Sequence, residues 1–221
     1  MWAPIARTAA RTPWATTVAP PPPARLPWRS GSTWLLAGFL GVQSALAYGY
    51  LAWLAPDMQS RGWPAGRTGA LLSLLQFAEW ALVLPTLADL SRKRDRRPAL
   101  VGSVACTVLA ATVLFAAPTA APWAVTTLLG LGLGGGFSLA LVLLADLARD
   151  AQASSRLAAM TFLICYSVAA AAPVLIGALP DATHGYAPAF GVLVIVACVE
   201  LAMATRLRPS LRETVRCAAL T

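Results

Sequence analysis

Six stretches of about twenty predominantly apolar residues recur along this chain, separated by segments too short to hold a domain. No other feature limits the fold as much. A helix rises about 1.5 Å per residue, so twenty residues cross a hydrocarbon layer of about 30 Å. Inside that layer no water pairs with backbone N–H and C=O groups, and a lone run satisfies them only as a helix. The expectation is an all-α integral membrane bundle of six transmembrane helices over residues 33–55, 68–88, 98–117, 122–147, 157–179 and 186–205. The first run ends at Pro56, the fourth opens on Pro122 as a first-turn proline, and Pro173 interrupts the fifth.

Composition agrees. Hydrophobic residues make up 58% of the chain and charged residues 12%, against about a quarter charged in a soluble domain. Mean hydropathy is +0.67. The net charge of +8 sits in loops and tails rather than on an aromatic-bearing face. That excludes nucleic acid as a partner and points to membrane topology and anionic lipid head groups. A single lysine beside sixteen arginines, with heavy Ala, Gly and Pro, fits a GC-rich bacterial genome. Cys106, Cys165 and Cys198 fall inside apolar runs, Cys217 lies beyond them, and none forms a CxxC pair. They read as packing residues, with no disulfide, metal or cofactor called for.

The basic residues orient the bundle. Arg92, Lys93, Arg94, Arg96 and Arg97 crowd one short loop between the second and third runs. Such a cluster resists translocation and stays cytoplasmic. With the N-terminus on the same side, fifteen of the seventeen basic residues are internal and only Arg61 and Arg67 are external. Five or seven spans would scramble that pattern. The expectation is therefore a multi-pass protein of the bacterial inner membrane with both termini cytoplasmic. Residues 1–31 read as a disordered, Pro- and Arg-rich tail or residual linker with extended polyproline at residues 19–24. Residues 32–207 read as the membrane domain and 208–221 as a cytoplasmic tail.

Polar side chains within the apolar runs mark interior faces, because each costs several kcal/mol in lipid unless it meets protein or water. Gln43, Ala47 and Tyr50 share a helical face, with Ser44 and Tyr48 beside it. Gln76 and Glu79, three apart, stack on one face of the second run. Glu79 admits three readings: a proton or solute site in a wet cavity, a protonated carboxyl bonded to a neighbouring helix, or a side chain exposed to lipid. Glu200, near the cytoplasmic end, is expected to snorkel or to pair with an arginine. Asp146, Arg149 and Asp150 read as an interfacial cluster. The fourth run carries Gly130, Gly132, Gly134, Gly135 and Gly136, with Gly132 and Gly136 as a small-xxx-small pair for close packing or gating. Tyr166 and Pro173 add a hydrogen-bonding group and a kink site to the fifth.

Residues 85–94, PTLADLSRKR, resemble the cytoplasmic loop motif G-x-L-A-D-R-x-G-R-R of the major facilitator transporters. Leu87, Ala88, Asp89 and the basic pair Lys93–Arg94 match, while Pro85 and Arg92 stand where that motif has glycines. Such a degenerate copy is typical of the second half of those proteins. Residues 41–56 (GVQSALAYGYLAWLAP), 69–76 (GALLSLLQ), 130–137 (GLGLGGGF) and 172–183 (APVLIGALPDAT) are similar to the C-terminal half of the cyanate/nitroimidazole transporter family. The resemblance runs from about Pro27 to Arg208 and is most specific in the first helix. It implies that these are helices seven to twelve of a carrier for a cyanate-like anion or small organic compound, working by alternating access. Gln43, Tyr48 and Gln76 would then line the central cavity, with Asp89, Arg92, Lys93 and Arg94 in the loop motif. Glu79 and Trp80 replace small residues there, and Leu133 stands where a polar residue is common. The same resemblance implies a missing half, supplied by a second copy or a separately encoded chain. The alternative is a truncated, non-transporting fragment or assembly partner. An intramembrane serine protease is the competing enzyme reading. It fails because Leu139 rather than glycine follows Ser138, and because the single histidine, His184, falls in an outer loop.

Overall fold

The computed structural model describes residues 31–88, 96–147 and 151–207. Asp89, Arg92, Lys93, Arg94, Arg149, Asp150 and both tails lie outside the described residues. Among the described residues the chain forms six helices: α1 (Gly31–Ser60), α2 (Ala65–Ala88), α3 (Arg97–Ala116), α4 (Pro122–Leu147), α5 (Ala151–Thr183) and α6 (Ala187–Arg206). Five are long and apolar enough to cross a membrane, over Thr33–Ser60, Arg97–Ala116, Pro122–Asp146, Ser155–Thr183 and Ala187–Arg206. The exception is α2. Its 24 residues are long enough, but Arg67, Ser73, Gln76 and Glu79 lower its hydropathy. The surface of the bundle is that of a protein solvated by lipid, with Phe77, Val174 and Leu175 each more than 70% exposed. The chain is a helical, multi-pass membrane protein.

At two prolines the helices differ from the sequence expectation. Pro56 does not end α1, which continues to Ser60. A proline removes only one intrahelical bond, and here the next turn is tied down by side chains. Asp57 is buried and paired with Arg61 at 3.0 Å, and the Ser60 hydroxyl donates to the Asp57 carbonyl at 2.7 Å. Likewise α5 runs through both Pro173 and Pro180. The carbonyl of Pro173 accepts the Trp53 indole N–H at 3.1 Å, which fastens that part of α5 to α1.

The packing has an internal order. The main partners are α2 with α4, α1 with α5, α3 with α4, and α3 with α6; α1 also meets α6, α2 and α4. Exchanging α1 with α4, α2 with α5 and α3 with α6 maps every packed pair onto another packed pair, apart from α5–α6. Because the exchange shifts the chain by three antiparallel steps, the two triplets run in opposite directions. This is the arrangement of an inverted three-helix repeat.

Two apolar cores lie one above the other. One gathers Tyr50, Leu54, Leu71, Leu129, Phe190 and Leu193; the other gathers Leu36, Phe39, Leu100, Leu144, Leu157 and Ala204. Between them, at residues 41–44 of α1, 105–109 of α3, 134–138 of α4 and 198–203 of α6, the buried side chains include Gln43, Ser44, Thr107, Ser138 and Glu200. These polar side chains form a belt between the two cores.

Candidate functional site

The belt opens into a pocket of about 470 Å3. Four helices line it, α1, α2, α4 and α5, which are the two pairs exchanged by the internal repeat. Helix α1 contributes Gln43, Ser44, Ala47, Tyr48 and Leu51, and α2 contributes Gln76, Glu79, Trp80 and Val83. Gly134, Phe137, Ser138 and Leu141 come from α4, with Cys165 and Tyr166 from α5. The six cavity candidates of the sequence reading, Gln43, Ser44, Tyr48, Gln76, Glu79 and Tyr166, therefore meet in one place.

Close helix approach builds the pocket wall. Two glycine seams run down α4. A Cβ on Gly130 would stand 2.5 Å from the Leu75 carbonyl, and one on Gly134 would overlap the Glu79 carbonyl oxygen, so this pair seats α2. Gly132 and Gly135 seat α3 instead, against Ser103 and Thr107. Gly136 faces the Gln43 amide on α1, with 2.9 Å from a Cβ position to Oε1. Gly132 and Gly136 therefore do not form one seam; their directions diverge onto different neighbours. The i, i+4 pair that meets a single helix is Gly130–Gly134.

Polar groups in the pocket are held at set angles. Gln43 is buried and its Nε2 donates to the Leu133 carbonyl at 2.7 Å. That carbonyl can only accept, so the amide nitrogen must face it, and Gln43 Oε1 is left without a partner. Leu133 thus takes part through its backbone while its side chain fills the apolar core. Ser44 Oγ lies 2.7 Å from Cys165 Sγ, and Cys165 Sγ reaches the Leu40 carbonyl at 3.5 Å. This links α1 to α5. Ser138 turns its hydroxyl back to the Gly134 carbonyl at 2.7 Å. Tyr166 stacks on Phe162 with centroids 5.9 Å apart. Glu79 is half-buried, and Gln76 and Trp80 beside it are exposed.

The chain is 31% identical over 180 residues to an uncharacterised transporter, YycB, of Bacillus subtilis, a match covering 80% of this chain and 44% of that protein. It is 31% identical over 170 residues to the 2-nitroimidazole transporter of Escherichia coli, covering 76% of this chain and 43% of the relative. The cyanate transport protein CynX of Escherichia coli matches at 28% over 155 residues, 69% of this chain and 40% of that protein. This chain is a homologue of the cyanate/nitroimidazole transporters. It spans less than half the length of each of these relatives. No family model matches the chain.

Within this transporter relative, two sequence expectations are corrected. Tyr50 does not share the pocket face with Gln43 and Ala47. It is fully buried against α6, with its ring edge-on to Phe190 at 5.9 Å. The i+7 step from Gln43 to Tyr50 allows one face, but α6 packs over α1 at Tyr50 while α4 meets it at Gln43. Glu200 does not snorkel: it is fully buried, and among the described residues neither carboxyl oxygen has a hydrogen bond or an arginine partner. Its place on α6, in register with buried Ala197 and Ala204, points it into the bundle. Of the interfacial charges, Asp146 pairs with Arg96 at 3.1 Å across the ends of α4 and α3. The sequence reading did not single out Phe137, Ser138 or Cys165 for the pocket. Only their helical spacing from the polar candidates and the glycines hinted at it, and apolar or small residues carry no sign of which side they face.

Proposed function

We propose that this chain is one six-helix lobe of an alternating-access carrier, with α2 as the sixth span and the pocket between α1, α2, α4 and α5 as half of its solute path. The carrying observation is that pocket, set on the axis of the inverted three-helix repeat. Transporters built this way place their solute site at the repeat interface near the bilayer midplane. The relatives' printed solutes, 2-nitroimidazole and cyanate, define the first compounds to assay. Among the described lining residues there is no basic side chain, which favours a small organic solute over an anion.

A second lobe completes the carrier in this reading, either another copy or a separately encoded chain. Both termini and the basic stretch at residues 92–97 lie on the cytoplasmic side in this reading. Glu79 couples movement to protons. The test is transport by reconstituted vesicles carrying the chain, with and without a co-expressed second lobe. Native-gel mass and crosslinking report whether a lobe pair forms. Loss of pH-driven solute movement in Glu79→Gln is expected; unchanged proton dependence refutes the coupling role. A chain that stays monomeric and moves no solute under any pairing identifies a non-transporting fragment.

A further inference from the structure

We propose that the pocket takes a small organic cation, a protonated amine carrying an apolar or aromatic body. The inference rests on the reading of this pocket as a solute site, and goes on to its charge. Three features carry it. Glu79 places a carboxyl group in the pocket wall, and no Lys, Arg or His lines the pocket among the described residues. Gln43 also lines the pocket, and its buried amide oxygen has no partner among the described residues, its nitrogen being committed to Leu133. That oxygen accepts from an N–H or O–H donor, which a carboxylate group lacks and an ammonium supplies. The rest of the wall includes four rings, Tyr48 and Tyr166 from the neighbouring helices α1 and α5, Trp80 beside Glu79, and Phe137. Aromatic faces attract a cation, most of all where water is excluded.

The chemistry is thus one carboxyl group, one unsatisfied acceptor and four rings. A carboxylate guest would meet Glu79 with like charge and leave Gln43 Oε1 unpaired. A neutral donor can hydrogen-bond to either group but brings no charge to Glu79 or to the rings. An ammonium satisfies both and lies against the rings. Proton and guest exclude one another at Glu79, since a protonated carboxyl no longer offers its charge. The other titratable groups at the pocket are Tyr48 from α1 and Cys165 and Tyr166 from α5; α4 brings none.

The experiment is equilibrium binding of radiolabelled benzylamine to the full chain in lipid nanodiscs, with benzyl alcohol and benzoate as competitors of similar shape. Benzylamine should saturate, benzyl alcohol should compete at least about tenfold more weakly, and benzoate should not compete. Glu79→Gln should weaken benzylamine binding about tenfold or more, and Glu79→Asp should keep part of it. Binding should also weaken as pH falls, and that dependence should vanish in Glu79→Gln. Glu79→Gln binding like the parent, or benzoate competing best, overturns the cation assignment. If the neutral or anionic probe binds and Tyr48→Leu weakens it, the solute pocket stands and only its charge preference falls. If no probe binds and Tyr48→Leu or Gln43→Leu leaves vesicle transport unchanged, both this inference and the proposed solute site fall.

Discussion

Gly134→Ala tests the packing on which the pocket depends. A Cβ there would lie 2.6 Å from the Glu79 carbonyl carbon and 2.8 Å from its Cα. Carbon pairs settle at about 3.5–4.0 Å, so α2 and α4 must separate by about 1 Å. The obstacle is backbone, and no rotamer change relieves it. Overpacking costs about 1–3 kcal/mol, and a backbone clash belongs at the upper end. Alanine gains about 0.5–1 kcal/mol over glycine within a helix, so the net loss is about 2 kcal/mol. Gly102→Ala is the matched control, since a Cβ on that α3 glycine meets nothing within 4 Å. It should stabilise by about 0.5–1 kcal/mol. The assay is denaturant unfolding of purified protein in detergent, followed by helical circular dichroism. Opposite signs for the two variants are expected. Equal midpoints, or a Gly134→Ala variant more stable than the parent, would refute the close α2–α4 approach. Because Gly134 touches the Glu79 backbone, the same variant should also weaken any ligand held by Glu79.

Other outcomes follow from single contacts. Glu200→Leu should raise stability by about 1–3 kcal/mol, because it removes a fully buried carboxyl with no hydrogen bond and keeps its bulk; a lower unfolding midpoint would show that Glu200 has a partner. A double-mutant cycle of Ser44→Ala and Cys165→Ala should give a coupling of about 1 kcal/mol across the 2.7 Å contact, and strict additivity would contradict that bond. Trp53→Phe should cost about 1 kcal/mol by freeing the Pro173 carbonyl, measured by the same unfolding. Cysteines placed at residue 94 and at residue 119 should label from opposite sides of the membrane, with residue 94 reached only from within; labelling of residue 94 from outside would reverse the topology.

Run length and polar rarity made much of this molecule legible. A twenty-residue apolar run has one stable form in lipid, so the order of helices could be read directly, apart from their ends. The end expected at Pro56 and the interruption expected at Pro173 do not occur, because a proline breaks one bond. Neighbouring side chains, Asp57 with Arg61 and Trp53 with Pro173, hold the turn in place. Gln43, Gln76 and Glu79 stood out because an amide or carboxyl in hydrocarbon needs an interior face. The same reasoning placed Glu200 near an interface where it could reach water, yet packing of α6 against α3 and α1 closes over it.

The sequence by itself therefore determined that the chain is a membrane helix bundle and which few polar side chains had to seek its interior. Tertiary structure alone decided which neighbour each face meets. Gly130 and Gly134 receive α2 while Gly132 receives α3, Tyr50 turns to α6, and Cys165 comes to rest against Ser44. The physical reason is that lipid is as apolar as the bundle core. Hydrophobicity then no longer separates inside from outside, and only the fit of one helix surface against another chooses the partner.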